Sequence, residues 1–113
     1  MIDPTAVQKI PTAPDTEKDV GRFVVKKLTW LRMPEVASDH EKRIDMGEKE
    51  YGQRLRTNNG RDALLDCYQE CLDGISYSAQ YYLEEDDIKP MFGFIVLAQQ
   101  IRERLDKREA KHD

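Results

Sequence analysis

Between Asp62 and Asp73 the chain reads Asp-Ala-Leu-Leu-Asp-Cys-Tyr-Gln-Glu-Cys-Leu-Asp, a pattern that an α-helix sorts by face. Wound as a helix, Asp62, Asp66, Glu70 and Asp73 stand at i, i+4, i+8 and i+11. All four carboxylates then fall within an arc of about 80°. The apolar centre of the same helix is Leu64, Leu65, Tyr68, Cys71, Leu72, Ile75, Ala79, Tyr82 and Leu83. Like charges at i, i+4 weaken a helix unless something positive lies between them. Four acids on one stripe therefore ask for a cation. A hard divalent ion such as Mg²⁺ takes carboxylate oxygens and keeps positions for substrate phosphates. The plainer counterpart is a solvated acidic face on a surface helix.

The flanking sequence predicts about four helices and an all-α fold, a bundle of helices around one modest core. Residues 1–15 hold Pro4, Pro11 and Pro14 and read as an extended or mobile N-terminal arm; residues 16–113 read as a single helical domain. A first helix starts with Thr16 as N-cap, carries Val20, Phe23, Val24, Leu28 and Trp30 on its apolar side, and stops at Met33-Pro34. Phe23-Val24-Val25 as a short strand ranks second, and Trp30 reads as core or interface anchor. A second helix runs from Pro34 or Ser38 to Tyr51, with Val36, Ala37, Ile44, Gly47 and Tyr51 on one side. Asn58-Asn59-Gly60 is turn chemistry between it and the third helix, which spans about Arg61 to Glu84. Ala63, Cys67, Gly74 and Ser78 form a strip of small residues that admits a neighbouring helix closely. Asp87 as N-cap and Pro90 in the first turn open a fourth helix, whose buried side is Met91, Phe94, Ile95, Ala98, Ile101 and Leu105.

Composition excludes several classes. The formal net charge of −4 carries no electrostatic footprint for nucleic acid. No apolar run approaches a membrane span, and Met1-Ile-Asp-Pro-Thr lacks the basic and apolar regions of a secretory signal. The two cysteines, Cys67 and Cys71, sit at i, i+4, where parallel side chains suit a disulfide poorly. These features predict a cytoplasmic protein with reduced thiols.

A second acidic stripe lies on the second helix. Glu41, Asp45 and Glu48 have the spacing i, i+4, i+7, and Asp66, Glu70 and Asp73 repeat it on the third. Two antiparallel helices with both stripes inward would gather enough carboxylates for one or two Mg²⁺ ions. Lys49, Arg54, Arg56 and Arg61 cluster around the intervening loop and offer positive charge for phosphates. Asn58 and Asn59 offer hydrogen bonds to a base, and Tyr51 or Tyr77 offers a ring to stack on one. Each of these also has a structural role to fill: a turn for the asparagines, packing for Tyr51. His40, beside Glu41, reads as a helix-start residue.

Glu70-Cys-Leu-Asp73, followed by an apolar, tyrosine-bearing helix, resembles the second half of the motif of the all-α nucleotide pyrophosphohydrolases. That family includes the MazG-like and dimeric dUTPase-like enzymes, which carry Glu-x-x-Glu, a spacer, then Glu-x-x-Asp. Asp45-Met-Gly-Glu48 matches the first half, with Asp45 where the family has Glu, one methylene shorter. The stretch Arg43 to Gly52, then Asn59-Gly-Arg-Asp62, then Tyr68 to Asp73 is similar to small phage-encoded proteins of the MazG-like type, and the resemblance covers about residues 40–84. It implies Glu48, Glu70 and Asp73 as catalytic metal ligands with Asp45 as a fourth, Mg²⁺ or alternatively Mn²⁺ as cofactor, and Asp66 and Glu41 orienting the ligands. It also implies a nucleoside triphosphate substrate cleaved between the α and β phosphates, a homo-oligomer, and the host cytoplasm as setting. The rival expectation is a non-enzymatic acidic helical protein, a degenerate family member that binds a host protein.

Overall fold

The computed structural model describes residues 3–10 and 18–111. The chain is all-helical, with α1 (Val20–Trp30), α2 (Pro34–Tyr51), α3 (Ala63–Glu85) and α4 (Lys89–Ala110) in order. Among the described residues there is no strand, only an isolated antiparallel bridge between Asp19 and Arg56. The helices pack as α1 with α2 and α3 with α4. The chain divides into two compact units, Lys9–Arg61 on one hand and Met1–Gln8 with Asp62–Asp113 on the other.

In the α1–α2 unit, Asp19 rather than Thr16 caps α1: its Oδ1 accepts from the Arg22 N–H at 3.0 Å. Thr16 itself lies outside the described residues. Backbone bonds from Val20 to Leu55 and from Thr57 to Lys18 tie the start of α1 to the loop after α2. The buried point of α1 is Gly21, where a Cβ would lie 2.6 Å from Ile44 Cδ1. Val24, Val25 and Leu28 surround that point and are half-buried. Phe23 and Trp30 sit roughly half a turn round the helix from Gly21 and are 63% and 75% exposed, so neither is core. The close approach at the one residue without a side chain sets the packing face, and the larger apolar residues are left outside it. Pro34 starts α2 in the first turn, where its missing N–H is harmless. Gly52, at φ 76°, ends it with its N–H on the Glu48 carbonyl.

In the α3–α4 unit, Asp62 is the N-cap of α3, not a member of its stripe: Oδ1 accepts from the Leu65 N–H at 3.2 Å. Arg108 of α4 holds the same carboxylate with two guanidinium nitrogens, at 2.5 and 3.2 Å. Residues 3–8 lie against α3. The Gln8 amide accepts from Asp62 N–H and donates to the Asp62 carbonyl and Asp66 Oδ1, while Gln69 donates to the carbonyls of Pro4 and Ala6. Cys71, Ala98 and Ile101 form the core, with Leu64, Tyr68, Ile75 and Leu105 packed round it. The small-residue strip divides: Gly74 and Ser78 are buried, and Gly74 receives the Phe94 ring so closely that a Cβ would meet it at 2.5 Å, whereas Ala63 and Cys67 are exposed. Leu83, placed in the apolar centre by periodicity, is 82% exposed at the end of α3. Asp87 does not cap α4 in the regular way, since Ile88 holds the N-cap position, but its Oδ1 accepts from Lys89 N–H.

Candidate functional site

The face of α2 that meets α1 repeats at i, i+3, i+4, i+7, i+8 and i+11 from His40: Arg43, Ile44, Gly47, Glu48 and Tyr51. These residues line a cavity of about 490 Å³ within the α1–α2 unit. Val20, Gly21 and Val24 of α1 supply its opposite wall, and Gln53, Arg54, Leu55 and Asn59 of the following loop close one side, with Ile10. The volume lies in the range typical of small-molecule sites, and so does the mixture of apolar walls with a few polar groups.

Arg54 organises the charge at this cavity. Its Nε donates to Asp19 Oδ2 at 2.7 Å. Nη1 lies 3.4 Å from Glu48 Oε2 and 3.9 Å from Asp45 Oδ1. The like charges of Asp45 and Glu48, one turn apart, are thus bridged by a guanidinium from the loop. The arginine beside Asp19, aided by the Arg22 backbone N–H, holds that carboxyl below its ordinary range. Asp19 in turn raises the Arg54 guanidinium. Of the residues assigned to phosphate, Arg54 therefore carries three carboxylate contacts already. Arg56 is half-buried beside Asp19 through its backbone bridge, Lys49 is exposed on α2, and Arg61 donates from Nη1 to the Lys9 carbonyl at 2.7 Å.

Asn59 is buried, and its Oδ1 accepts from the Arg61 N–H, so its turn role is real. Asn58 takes the left-handed conformation at φ 53° and is exposed. Tyr51, 72% exposed, lines the cavity; Tyr77, 71% exposed, lies on α3 in the other unit.

The acids divide in the same way. Glu41, Asp45 and Glu48 belong to the α1–α2 unit, and all three are exposed. Asp66, Glu70 and Asp73 belong to the α3–α4 unit. Asp66 is half-buried under Gln8, and Glu70 and Asp73 are exposed, with no hydrogen bond or ion pair to another described residue. Burial, with the neighbouring Cys67 and Glu70, pushes the Cys71 thiol up. Among the described residues, no group of three or more His, Cys, Asp or Glu side chains is gathered closely enough to hold a metal ion. The donor chemistry suits Mg²⁺, being all carboxylate, but the count is not met within either unit.

Sequence reasoning passed over Asp19, quoted Arg43 only within the resembling stretch, and read His40 as a helix-start residue, not as part of this cavity. The signal for the last two was present: both fall on the α2 face already marked by Ile44, Gly47 and Tyr51. Asp19 was detectable as an N-cap immediately before an apolar run.

Among the described residues no helix is long and apolar enough to cross a membrane. No protein-family model matches the chain, and no curated protein or solved structure matches it.

Proposed function

We propose that this chain is a Mg²⁺-dependent nucleoside triphosphate pyrophosphohydrolase of the MazG-like class, releasing monophosphate and pyrophosphate. The observation that carries the reading is the pair Glu70 and Asp73: two exposed carboxylates one turn apart, with no cationic partner among the described residues. The pair Asp45 and Glu48 has the same spacing, and its contact with Arg54 supports its capacity to accept a cation. The resemblance assigns Glu48, Glu70 and Asp73 as ligands with Asp45 as the fourth; Mn²⁺ is the alternative ion. When bound, such an ion supplies charge neutralisation and an activated water. Arg54, anchored on Asp19, is the residue we assign to phosphate once its contacts with Glu48 and Asp45 are given up, and its planar fork suits a phosphate oxygen pair.

The same proposal includes self-association. Phe92 and Val96 of α4 are each 55% exposed, and apolar residues exposed in such a row suit coverage by a second copy. The rival reading, an acidic helical protein that binds a host protein, is favoured by the exposure of the same carboxylates.

The test is pyrophosphate release from a panel of ribo- and deoxyribonucleoside triphosphates with Mg²⁺, Mn²⁺ or EDTA, on wild type, Glu70→Gln and Asp73→Asn. The hydrolase reading expects metal-dependent release abolished by either substitution, with the fold retained or more stable because acid repulsion is relieved. No release from any triphosphate with either metal sinks it and leaves the binding-protein reading.

A further inference from the structure

Charge is unevenly divided along this chain. Between Val20 and Met33 stand Arg22, Lys26, Lys27 and Arg32 with no acid among them, in a chain whose formal net charge is −4. Their side chains make no hydrogen bond or ion pair with another described residue. Lys27 instead sets its Nζ 5.2 Å from the centroid of the Trp30 ring. The exposed apolar residues of the α1–α2 unit gather in the same place. Phe23 and Trp30, seven residues apart, stand within about 20° of each other around α1. Lys26 flanks that seam on one side and Lys27 on the other, each about 40–60° away. Leu31, Met33 and Val36 carry the exposed apolar surface through the turn into the start of α2.

Arg32 closes this corner. α1 ends with the Arg32 N–H on the Thr29 carbonyl and the Met33 N–H on the Leu28 carbonyl, a cap that puts Arg32 in the left-handed conformation at φ 61°. Gly52 fills the left-handed position at the end of α2. An arginine is strained where a glycine is not, and the Arg32 side chain returns no contact to the fold. A second copy seated face to face on this corner would set its cations against one another. A groove on a folded partner receives a row of side chains from one helix face. Trp30 and Leu31 are consecutive, about 100° apart around the helix, and Met33 and Val36 lie beyond the turn. A fluid apolar phase accepts side chains that splay from a helix end in this way, and tryptophan rings settle at the level of lipid headgroups. Unpaired lysines and arginines around them complement anionic headgroups. Glu35 and Asp39, near the start of α2, are the acids of the corner and leave it net positive.

We infer that the α1–α2 corner docks on the surface of an anionic phospholipid membrane. Phe23, Trp30 and Leu31 enter the interface, and Arg22, Lys26, Lys27 and Arg32 lie among the headgroups. No described helix is long and apolar enough to cross a membrane, so the attachment is peripheral. It is independent of the hydrolase reading, since it uses none of that reading's carboxylates and no metal ion.

Trp30 is the single tryptophan of the chain, so its fluorescence reports what covers the corner. The full chain is titrated with vesicles of phosphatidylcholine and phosphatidylglycerol in equal parts, with pure phosphatidylcholine vesicles and with polyglutamate. Trp30 emission and co-sedimentation follow binding. The mixed vesicles shift the emission to the blue and bind about tenfold or more tightly than pure phosphatidylcholine, and more weakly as salt rises. Lys26→Gln combined with Lys27→Gln weakens binding by about tenfold or more. Trp30→Ala, read by co-sedimentation, weakens it by about tenfold. All three positions are exposed, so urea midpoints stay at the wild-type value. The inference is overturned if the mixed vesicles do not bind at low salt, if pure phosphatidylcholine binds as well, or if the substitutions leave binding unchanged. Polyglutamate that binds as tightly, with the same blue shift, assigns the corner to an acidic protein instead. A blue shift that grows with protein concentration and needs no vesicles assigns it to a second copy, and overturns the inference equally.

Discussion

Two glycines in the same unit make a matched pair for measuring how tightly α1 and α2 meet. Substituting alanine at either removes a similar amount of unfolded-chain freedom, so that contribution largely cancels in the comparison. At Gly47, inside α2 with open space at the Cβ position, alanine gains the helix-propensity difference of about 1 kcal/mol. At Gly21, in the first turn of α1, the same Cβ lands 2.6 Å from Ile44 Cδ1, 3.0 Å from Cγ1 and 3.2 Å from Cγ2. Rotation about the Ile44 side chain can move Cδ1 away but leaves the branch at Cγ2 close, so relief requires the helices to part. Overpacking of this kind costs about 1–3 kcal/mol. With the propensity gain common to both helical sites, Gly21→Ala is therefore less stable than Gly47→Ala by about 1–3 kcal/mol. Urea titrations followed by far-ultraviolet circular dichroism measure the difference, with equal slopes required for the comparison of midpoints to hold. Equal midpoints for the two variants would refute the close approach at Gly21 and, with it, the packing face that leaves Phe23 and Trp30 outside.

The acid limb of stability has a defined contributor in Asp62, whose carboxyl is held low chiefly by the Arg108 guanidinium. Because the folded value is depressed, its contribution is complete above the unfolded value of about 3.9 and is lost as pH falls through the folded one. Asp62→Asn keeps a capping oxygen and flattens that limb in pH-dependent urea titrations, whereas Asp62→Ala also loses the cap, for about 1 kcal/mol at neutral pH. Iodoacetamide followed by mass spectrometry labels the exposed Cys67 well before Cys71, whose burial raises its thiol; equal rates would contradict the α3–α4 packing. Gln8→Ala removes three hydrogen bonds between residues 3–8 and the start of α3, and speeds amide exchange at Asp62, whose N–H the Gln8 amide accepts at 2.6 Å.

The helices were legible because their signals are local. Pro34 and Pro90 mark first turns, Asn58-Asn59-Gly60 marks the loop, α2 starts at the first of its two expected positions, Pro34 rather than Ser38, and ends at Tyr51 as expected, and the ends of α3 fall within a residue or two of those expected. Which face packs was less legible, because large apolar side chains dominate a hydropathy pattern and glycines are silent in it. Gly21 and Gly74 each mark a close approach of a neighbouring side chain, and nothing in hydropathy distinguishes them from Gly47, which marks none. Asp62 was misplaced for a related reason. An N-cap aspartate continues the i, i+4 spacing of the helix it precedes, so spacing alone counts it as a member of the stripe, while its φ of −89° and ψ of 102° put it outside the helix.

The acidic stripes show where spacing stops informing about a site. A one-turn separation of Asp45 and Glu48 is a property of α2 alone, and it predicts a demand for positive charge without naming the source. In the structure an arginine from the next loop answers it, and that arginine is fixed by Asp19, the cap of a different helix. No periodicity connects residues 19, 48 and 54; the connection arises only because the Asp19–Arg56 bridge folds the loop back onto the start of α1. The consequence bears on function. A cation arriving at Asp45 and Glu48 competes with a guanidinium already there, and Asp19 retains Arg54 when that contact is given up. Asp19→Asn weakens that retention without touching either acid of α2. Under the hydrolase reading it raises the KM for triphosphate more than it lowers kcat, because an arginine held near phosphates acts in binding as well as in the reaction. A fall in kcat at constant KM would instead place Arg54 in the transition state alone, and no change in either would leave the Asp19–Arg54 pair a purely structural tie.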